Sequence, residues 1–163
     1  MANQRAAIAM TAAEVDDFLR AGRICVLVTL GPDGLPDPVP MWYVVDDEGR
    51  VVMRTFAKSQ KVVNLRRDPR YSALVEAGER YVELRGVQLT GTVELVDDPE
   101  LVADTLTGLA LKYEGLEPQH ADGFRAAALA KVGKQVALRL RVDRLVSWDH
   151  RKLAVDEAAG AGA

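Results

Sequence analysis

Hydrophobic and polar positions along this chain follow two periods. Val15, Phe18 and Leu19 recur at helical spacing behind Thr11-Ala12-Ala13-Glu14, a capping box, and Gly22 marks the end of that helix. Ile24 to Leu30 is an apolar run of strand length, which predicts a strand buried on both faces. Turn chemistry at Gly31-Pro32-Asp33-Gly34 leads to a second strand over about Asp37 to Val45. Pro38 and Pro40 cannot donate to a ladder, so part of that strand is expected at a sheet edge or beside a ligand. After the turn Asp46-Asp47-Glu48-Gly49 comes a third strand, Arg50 to Phe56, then a short loop and a helix over about 59 to 67 that Pro69 stops. Tyr71 to Glu76 is a fourth strand.

The longest strand candidate is Tyr81 to Val96. Val82 and Leu84 are apolar at even positions, whereas Val87, Leu89, Val93 and Leu95 are apolar at odd ones. A period-2 pattern changes face only through a bulge or bend, so a barrel corner is expected near Gly86. Asp98-Pro99-Glu100 opens a helix, and a second helical stretch covers about Ala121 to Lys131. Val136, Leu138, Leu140 and Val142 alternate with Ala137, Arg139, Arg141 and Asp143 and predict a last strand with one wet face. About six strands joined by short turns describe an antiparallel barrel with flanking helices. Residues 11–153 are read as one domain, with 1–10 and 154–163 as flexible tails.

Composition narrows the classes. At 163 residues the chain is long enough for one proper core. A net charge of -3 argues against a general nucleic-acid binder. One cysteine, Cys25, excludes an internal disulfide and lies in an apolar run, as a buried structural thiol does. No window reaches the roughly 18 apolar residues of a membrane span. No basic-then-apolar signal pattern precedes the first helix, which points to the cytoplasm. There is no G-x-G-x-x-G and no P-loop.

Against this acidic background, residues 54–70 hold six Lys/Arg and one acid, a net of +5, so the remainder carries -8. The segment reads as strand, tight loop, helix. A helix N-terminus attracts anions because its first amides lack partners. Ser59 is a candidate N-cap, Lys61 lies in the first turn, and Gln60, Lys61 and Asn64 share a face. Arg54 and Thr55, at the end of the preceding strand, are expected to reach the same point, with Lys58 beside it. The alternative is a solvated basic surface, with Arg66 and Arg67 complementing the helix C-terminus.

A second candidate is Pro38-Val39-Pro40-Met41-Trp42-Tyr43, where Val39, Pro40 and Met41 offer backbone and apolar surface to a flat ring; the competing reading is an edge strand feeding the core. A third is Leu145 to Arg151. Ser147, Asp149 and His150 are neighbours in sequence, but a hydrolase triad is made by fold geometry. Trp148 fits a pocket wall or a subunit interface better. His120 and His150 are too few for a histidine metal site, and no metal is expected.

Lys58-Ser59-Gln60-Lys61-Val62-Val63-Asn64-Leu65-Arg66-Arg67-Asp68-Pro69-Arg70, with Val26 to Leu30, Pro38 to Tyr43, Arg54-Thr55 and Glu83 to Val87, resembles the pyridoxamine phosphate oxidase-like, flavin/deazaflavin oxidoreductase superfamily. The resemblance runs from about residue 11 to 148. It implies a split β-barrel of the antiparallel, Greek-key kind. It implies a homodimer with two cofactor sites at the subunit interface, a ring system along Arg54 and Thr55, and a phosphate at Ser59 and Lys61. Within the superfamily, the F420-dependent branch is the nearest in pattern. Coenzyme F420 carries an anionic tail, and Lys58, Arg66 and Arg67 exceed what one phosphate needs. The expected activity is hydride transfer between reduced F420 and a small electron-poor molecule. FMN is the alternative cofactor, and a non-catalytic F420- or flavin-binding carrier the alternative role. No second basic set suits a pyridoxal phosphate substrate, and no side chain stands out as a catalytic acid or base.

Overall fold

A computed structural model describes residues 4–153. Helix α1 (Gln4–Ala7) and helix α2 (Ala12–Ala21) precede β1 (Cys25–Leu30), β2 (Pro36–Met41), β3 (Val44–Val45) and β4 (Val51–Phe56). Helix α3 (Gln60–Arg67), β5 (Arg70–Ala77), β6 (Arg85–Val96), helix α4 (Pro99–Tyr113), helix α5 (Ala121–Leu129) and β7 (Gln135–Asp149) follow. All pairings are antiparallel, in the order β2-β1-β5-β6-β7-β4-β3.

The two edge strands reveal the closure. Only Trp42 and Tyr43 separate β2 from β3, yet these strands sit at opposite ends of the sheet order. A two-residue link brings both edges together, so the sheet is curled into a barrel. The expected strand 37–45 is therefore two strands, one on each edge. The prolines are where an edge tolerates them: β2 pairs only with β1. Tyr43 secures the link, its hydroxyl donating to the Leu19 carbonyl at 2.6 Å while the ring is fully buried.

Inside the barrel lie Leu27, Met53, Val75, Val87, Leu89, Leu138 and Leu140, all nearly inaccessible, with Val62 and Leu65 of α3 and Phe18 and Leu19 of α2. A smaller core forms on the other side of the sheet, where Val52 and Ala137 meet Val102 of α4 and Val132. Strand β4 thus buries both faces, whereas β1 does not: Val26, Val28 and Leu30 are half-exposed and only Cys25, Leu27 and Thr29 are enclosed. The apolar run in β1 reflects an outward face that is apolar too.

The phase change also falls elsewhere than expected. Val82 lies in a 3₁₀ turn, Tyr81–Glu83, ahead of β6, so β6 itself keeps one phase. The irregularity is on β7. Thr90 pairs with Arg144 and Gly91 with Val142, leaving Asp143 as the extra residue of a bulge. Gly91 lies tight against β7 at this bulge: a Cβ there would lie 2.0 Å from the Arg141 carbonyl oxygen. Strand β7 also runs on to Asp149, six residues beyond the expected Asp143. Residues 8–10, expected as part of a tail, are tied to that extension. Asp149 N–H donates to the Ile8 carbonyl at 2.7 Å, and Met10 N–H donates to Ser147 Oγ at 3.1 Å. The expected tail at 154–163 lies outside the described residues. No helix among the described residues is long and apolar enough to cross a membrane.

Candidate functional site

The end of β4 and the start of α3 form the basic site. Ser59 is the N-cap of α3 in extended conformation, yet its hydroxyl makes no capping bond. It lies 3.3 Å from Thr55 Oγ1 instead. Lys61 Nζ donates to the same Thr55 oxygen at 3.5 Å. Two hydroxyls and an ammonium therefore meet at one point. Val62 and Val63 N–H groups bond back to the Ser59 carbonyl, at 3.0 and 3.1 Å, and Ser59 N–H donates to the Phe56 carbonyl. The amides of Gln60 and Lys61 remain without a helical acceptor at the positive end of the helix. This donor set, two hydroxyls, two amides and one cation, matches the acceptor-rich shell of a phosphate.

Other expected members are placed differently. Arg54 precedes Thr55 on β4 and so points to the opposite face; its Nη1 donates to Gln135 Oε1 of β7 at 3.0 Å. Arg54 and the Thr55 cluster do not converge within one chain. Asn64 is fully buried, and its polar atoms are spent on the fold: Nδ2 donates to Thr29 Oγ1 and to Asp37 Oδ2, both at 3.0 Å, and Oδ1 accepts from Gln60 Nε2 at 2.9 Å. It pins α3 to the β1–β2 pair, where Thr29 and Asp37 stand directly opposite. Val39 and Met41 turn inward and pack on the barrel core, whereas Pro40 turns outward. Trp42 stacks on Tyr113 of α4 with ring centres 4.7 Å apart.

Trp148 lies far along β7. It pairs with Gly86, while Arg54 pairs with Ala137, eleven residues earlier. That is a path of about 36 Å at 3.3 Å per residue along the strand. Among the cations, Lys58 and Arg66 are exposed, and Arg67 donates to the Leu30 carbonyl. Arg70 is bound to Asp68 at 2.6 Å and holds that carboxyl down to about 2. Cys25 is enclosed, and burial pushes its thiol up to about 12, as befits a structural thiol.

Sequence reasoning missed Thr29, Asp37 and Gln135. Each acts through a partner from a distant segment. Only the cross-strand register, which sequence does not display, brings them into view.

Four similarities bear on kinship. The family model described as pyridoxamine 5'-phosphate oxidase matches residues 11–149. The solved structure of a conserved hypothetical protein from Mycobacterium tuberculosis is 42% identical, with a TM-score of 0.82, covering 92% of this chain and 91% of that one. An F420 reductase is 23% identical, with a TM-score of 0.60, covering 80% of this chain and 94% of that one. An FAD-binding protein from Mesorhizobium loti is 22% identical, with a TM-score of 0.61, covering 85% of this chain and 93% of that one. The last two speak for the fold alone. The curled seven-strand sheet and a family match over 139 consecutive residues lead to one conclusion: the chain belongs to the pyridoxamine 5'-phosphate oxidase family of split β-barrels.

Proposed function

We propose that this protein is an F420-dependent oxidoreductase that passes hydride between reduced F420 and a small electron-poor molecule, working as a homodimer. The observation that carries the reading is the meeting of Thr55, Ser59 and Lys61 at the free N-terminus of α3. It supplies donors for one phosphate, the group that a flavin mononucleotide or a deazaflavin cofactor carries. Lys58, just before α3, and Arg66, in its last turn, are exposed and make no ion pair among the described residues; they favour a cofactor with further anionic groups. When bound, the cofactor supplies the hydride chemistry; the chain binds, orients and shields it.

The dimer rests on the outer face of the barrel. Pro40, Val26, Leu74, Gln88 and Val146 stand in register across five strands. This largely apolar row, with Val28 and Pro38 beside it, is half-exposed or exposed in a single chain. A second copy on this face would hide it and bring Trp148 of one copy towards the ring held by the other.

FMN is the second reading, since a one-phosphate cradle suits it equally well. Titrating the purified protein with F420 and with FMN, followed by fluorescence, tests the choice. Tighter F420 binding is expected, together with turnover of an electron-poor acceptor by reduced F420. Tighter FMN binding replaces the cofactor. F420 binding without turnover of any acceptor makes the protein a carrier.

A further inference from the structure

A cavity of about 590 Å³ opens between α2, the start of β1 and the paired ends of β5, β6 and β7. It shares no residue with the Thr55–Ser59–Lys61 cluster. Its apolar wall is Met10, Phe18, Ala21, Ile24 and Ala77. Its notable polar member is Arg85. Asp149 stands directly opposite Arg85 in the β6–β7 register and is the obvious ion-pair partner. Yet both Asp149 oxygens are taken by Arg151, at 2.5–3.2 Å, and its Oδ1 also accepts the Arg151 backbone N–H. Arg85 is left with its guanidinium over the Phe18 ring, 5.4 Å from the centre, and its Nε is fully buried with no acceptor among the described residues. An enclosed donor without an acceptor is costly, and the half-buried side chain that carries it lines an open space.

The remaining charges around the cavity sort cleanly. Glu14 is held by Lys152 at 2.7 Å, and Arg23, which also lines the cavity, donates to the Lys112 carbonyl at 2.7 Å. Asp17 and Glu76 are exposed and make no ion pair among the described residues. The half-buried Arg85 guanidinium, with no hydrogen-bond acceptor among the described residues, the two carboxylates Asp17 and Glu76 at the exposed margin and an apolar wall between them describe a ligand with complementary parts.

We propose that this cavity is a second binding site, for a zwitterion with an apolar body: an amino acid with an aromatic or large aliphatic side chain. The carboxylate takes the guanidinium fork of Arg85. The ammonium faces Asp17 and Glu76. The apolar side chain lies against Phe18 and Ile24. The reading is independent of the cofactor site, so its failure leaves that site untouched.

The test is calorimetric titration of the full chain with three probes: L-phenylalanine, 3-phenylpropionate and 2-phenylethylamine. Phenylalanine is expected to bind tightest and 2-phenylethylamine weakest. Arg85→Gln is expected to weaken phenylalanine tenfold or more, the loss of one charge-assisted pair. In the unaltered protein, phenylalanine is expected to slow phenylglyoxal labelling of Arg85, read by peptide mass spectrometry. That measurement stands even if Arg85→Gln fails to fold. No saturable binding of any probe, or unchanged labelling of Arg85, overturns the site. Equal binding of 2-phenylethylamine and phenylalanine overturns Arg85 as the anchor. Equal or tighter binding of 3-phenylpropionate overturns the zwitterion.

Discussion

The Trp148 indole fills the space that a side chain at Gly86 would need. A Cβ added at Gly86 would sit 2.2 Å from Trp148 Cζ2 and 2.6 Å from Cε2, closer than any real contact. The two residues are direct partners across β6 and β7, so neither side chain nor strand has an easy way to yield. The glycine is needed for space, and the indole is held where the apolar outer face of the barrel ends.

Gly86→Ala is therefore expected to lower stability by about 1–3 kcal/mol, the usual cost of overpacking. Adding Trp148→Ala to that variant should recover part of the loss, because it removes the atoms in collision. Urea denaturation of the two single variants and the double variant gives the coupling between them. Additive effects would show that Gly86 matters for some reason other than Trp148.

Asn64 presents a different dependence. It is fully buried and bonds Thr29, Asp37 and Gln60 at once. Asn64→Leu keeps the volume and removes every bond, stranding Asp37 and Thr29 on the barrel side. A loss of about 2–4 kcal/mol is expected from unmet polar groups. Urea midpoints measure it. A variant as stable as the original would mean that water replaces the amide without cost.

How much of this was readable beforehand depends on the range of each interaction. The edge position of Pro38 and Pro40 was legible because a missing N–H is a local fact. The α2 capping box was legible for the same reason: Thr11 accepts from Glu14 N–H and Glu14 accepts from Thr11 N–H. The split of residues 37–45 into two edges was not, because it arises from closure of the whole sheet. The apparent phase flip at Gly86 was misplaced because Val82 belongs to a 3₁₀ turn, whose period differs from a strand's. The separation of Arg54 from Thr55, by contrast, was available all along: neighbours on a strand face opposite ways. The meeting of Thr55, Ser59 and Lys61 was legible because they lie within seven residues of one another. The Arg85 cavity was not, since its walls come from both ends of the chain.

Lys112 gives a pH dependence with a definite sign. Its ammonium sits 4.1 Å from the centre of the Tyr43 ring, and burial, aided by Arg23, lowers its pKa from 10.5 to about 8. Between about 8 and 10.5 the unfolded chain binds more protons at this residue than the folded one. Stability from this group therefore rises with pH across that window and is flat below it. Cys25 and Tyr43, both pushed up by burial, act in the opposite sense. The difference between the unaltered protein and Lys112→Met isolates the lysine. Melting temperatures from pH 7 to 11 should show the unaltered protein gaining on the variant above pH 8. A constant difference would contradict the lowered pKa.

Lys61 carries the only charge in the Thr55 cluster. Lys61→Ala is expected to weaken cofactor binding at least tenfold, about 1.4 kcal/mol, against the roughly 1.5–3 kcal/mol of a charge-assisted bond. Fluorescence titration with the fold checked by circular dichroism measures it. Unchanged affinity removes Lys61 from the site.

The choice between F420 and FMN turns on charges outside the cradle. Lys58 and Arg66 are exposed, whereas Arg67 is engaged with the Leu30 carbonyl. The preference for F420 should therefore rest on Lys58 and Arg66 more than on Arg67. Each exposed pair contributes only about 0–1 kcal/mol and is screened over about 8–10 Å in ordinary buffer. The F420 advantage over FMN should accordingly shrink as salt is raised, while the part owed to Thr55, Ser59 and Lys61 persists for both cofactors. Added glutamates on the F420 tail should help at first and then cease to, as each lies further from the cluster. Lys58→Ala with Arg66→Ala should erase most of the salt-dependent difference and leave FMN affinity nearly unchanged. Equal losses for the two cofactors would assign these residues to the shared phosphate. FMN binding more tightly than F420 to the unaltered protein at low salt would overturn the deazaflavin reading and leave a flavoprotein.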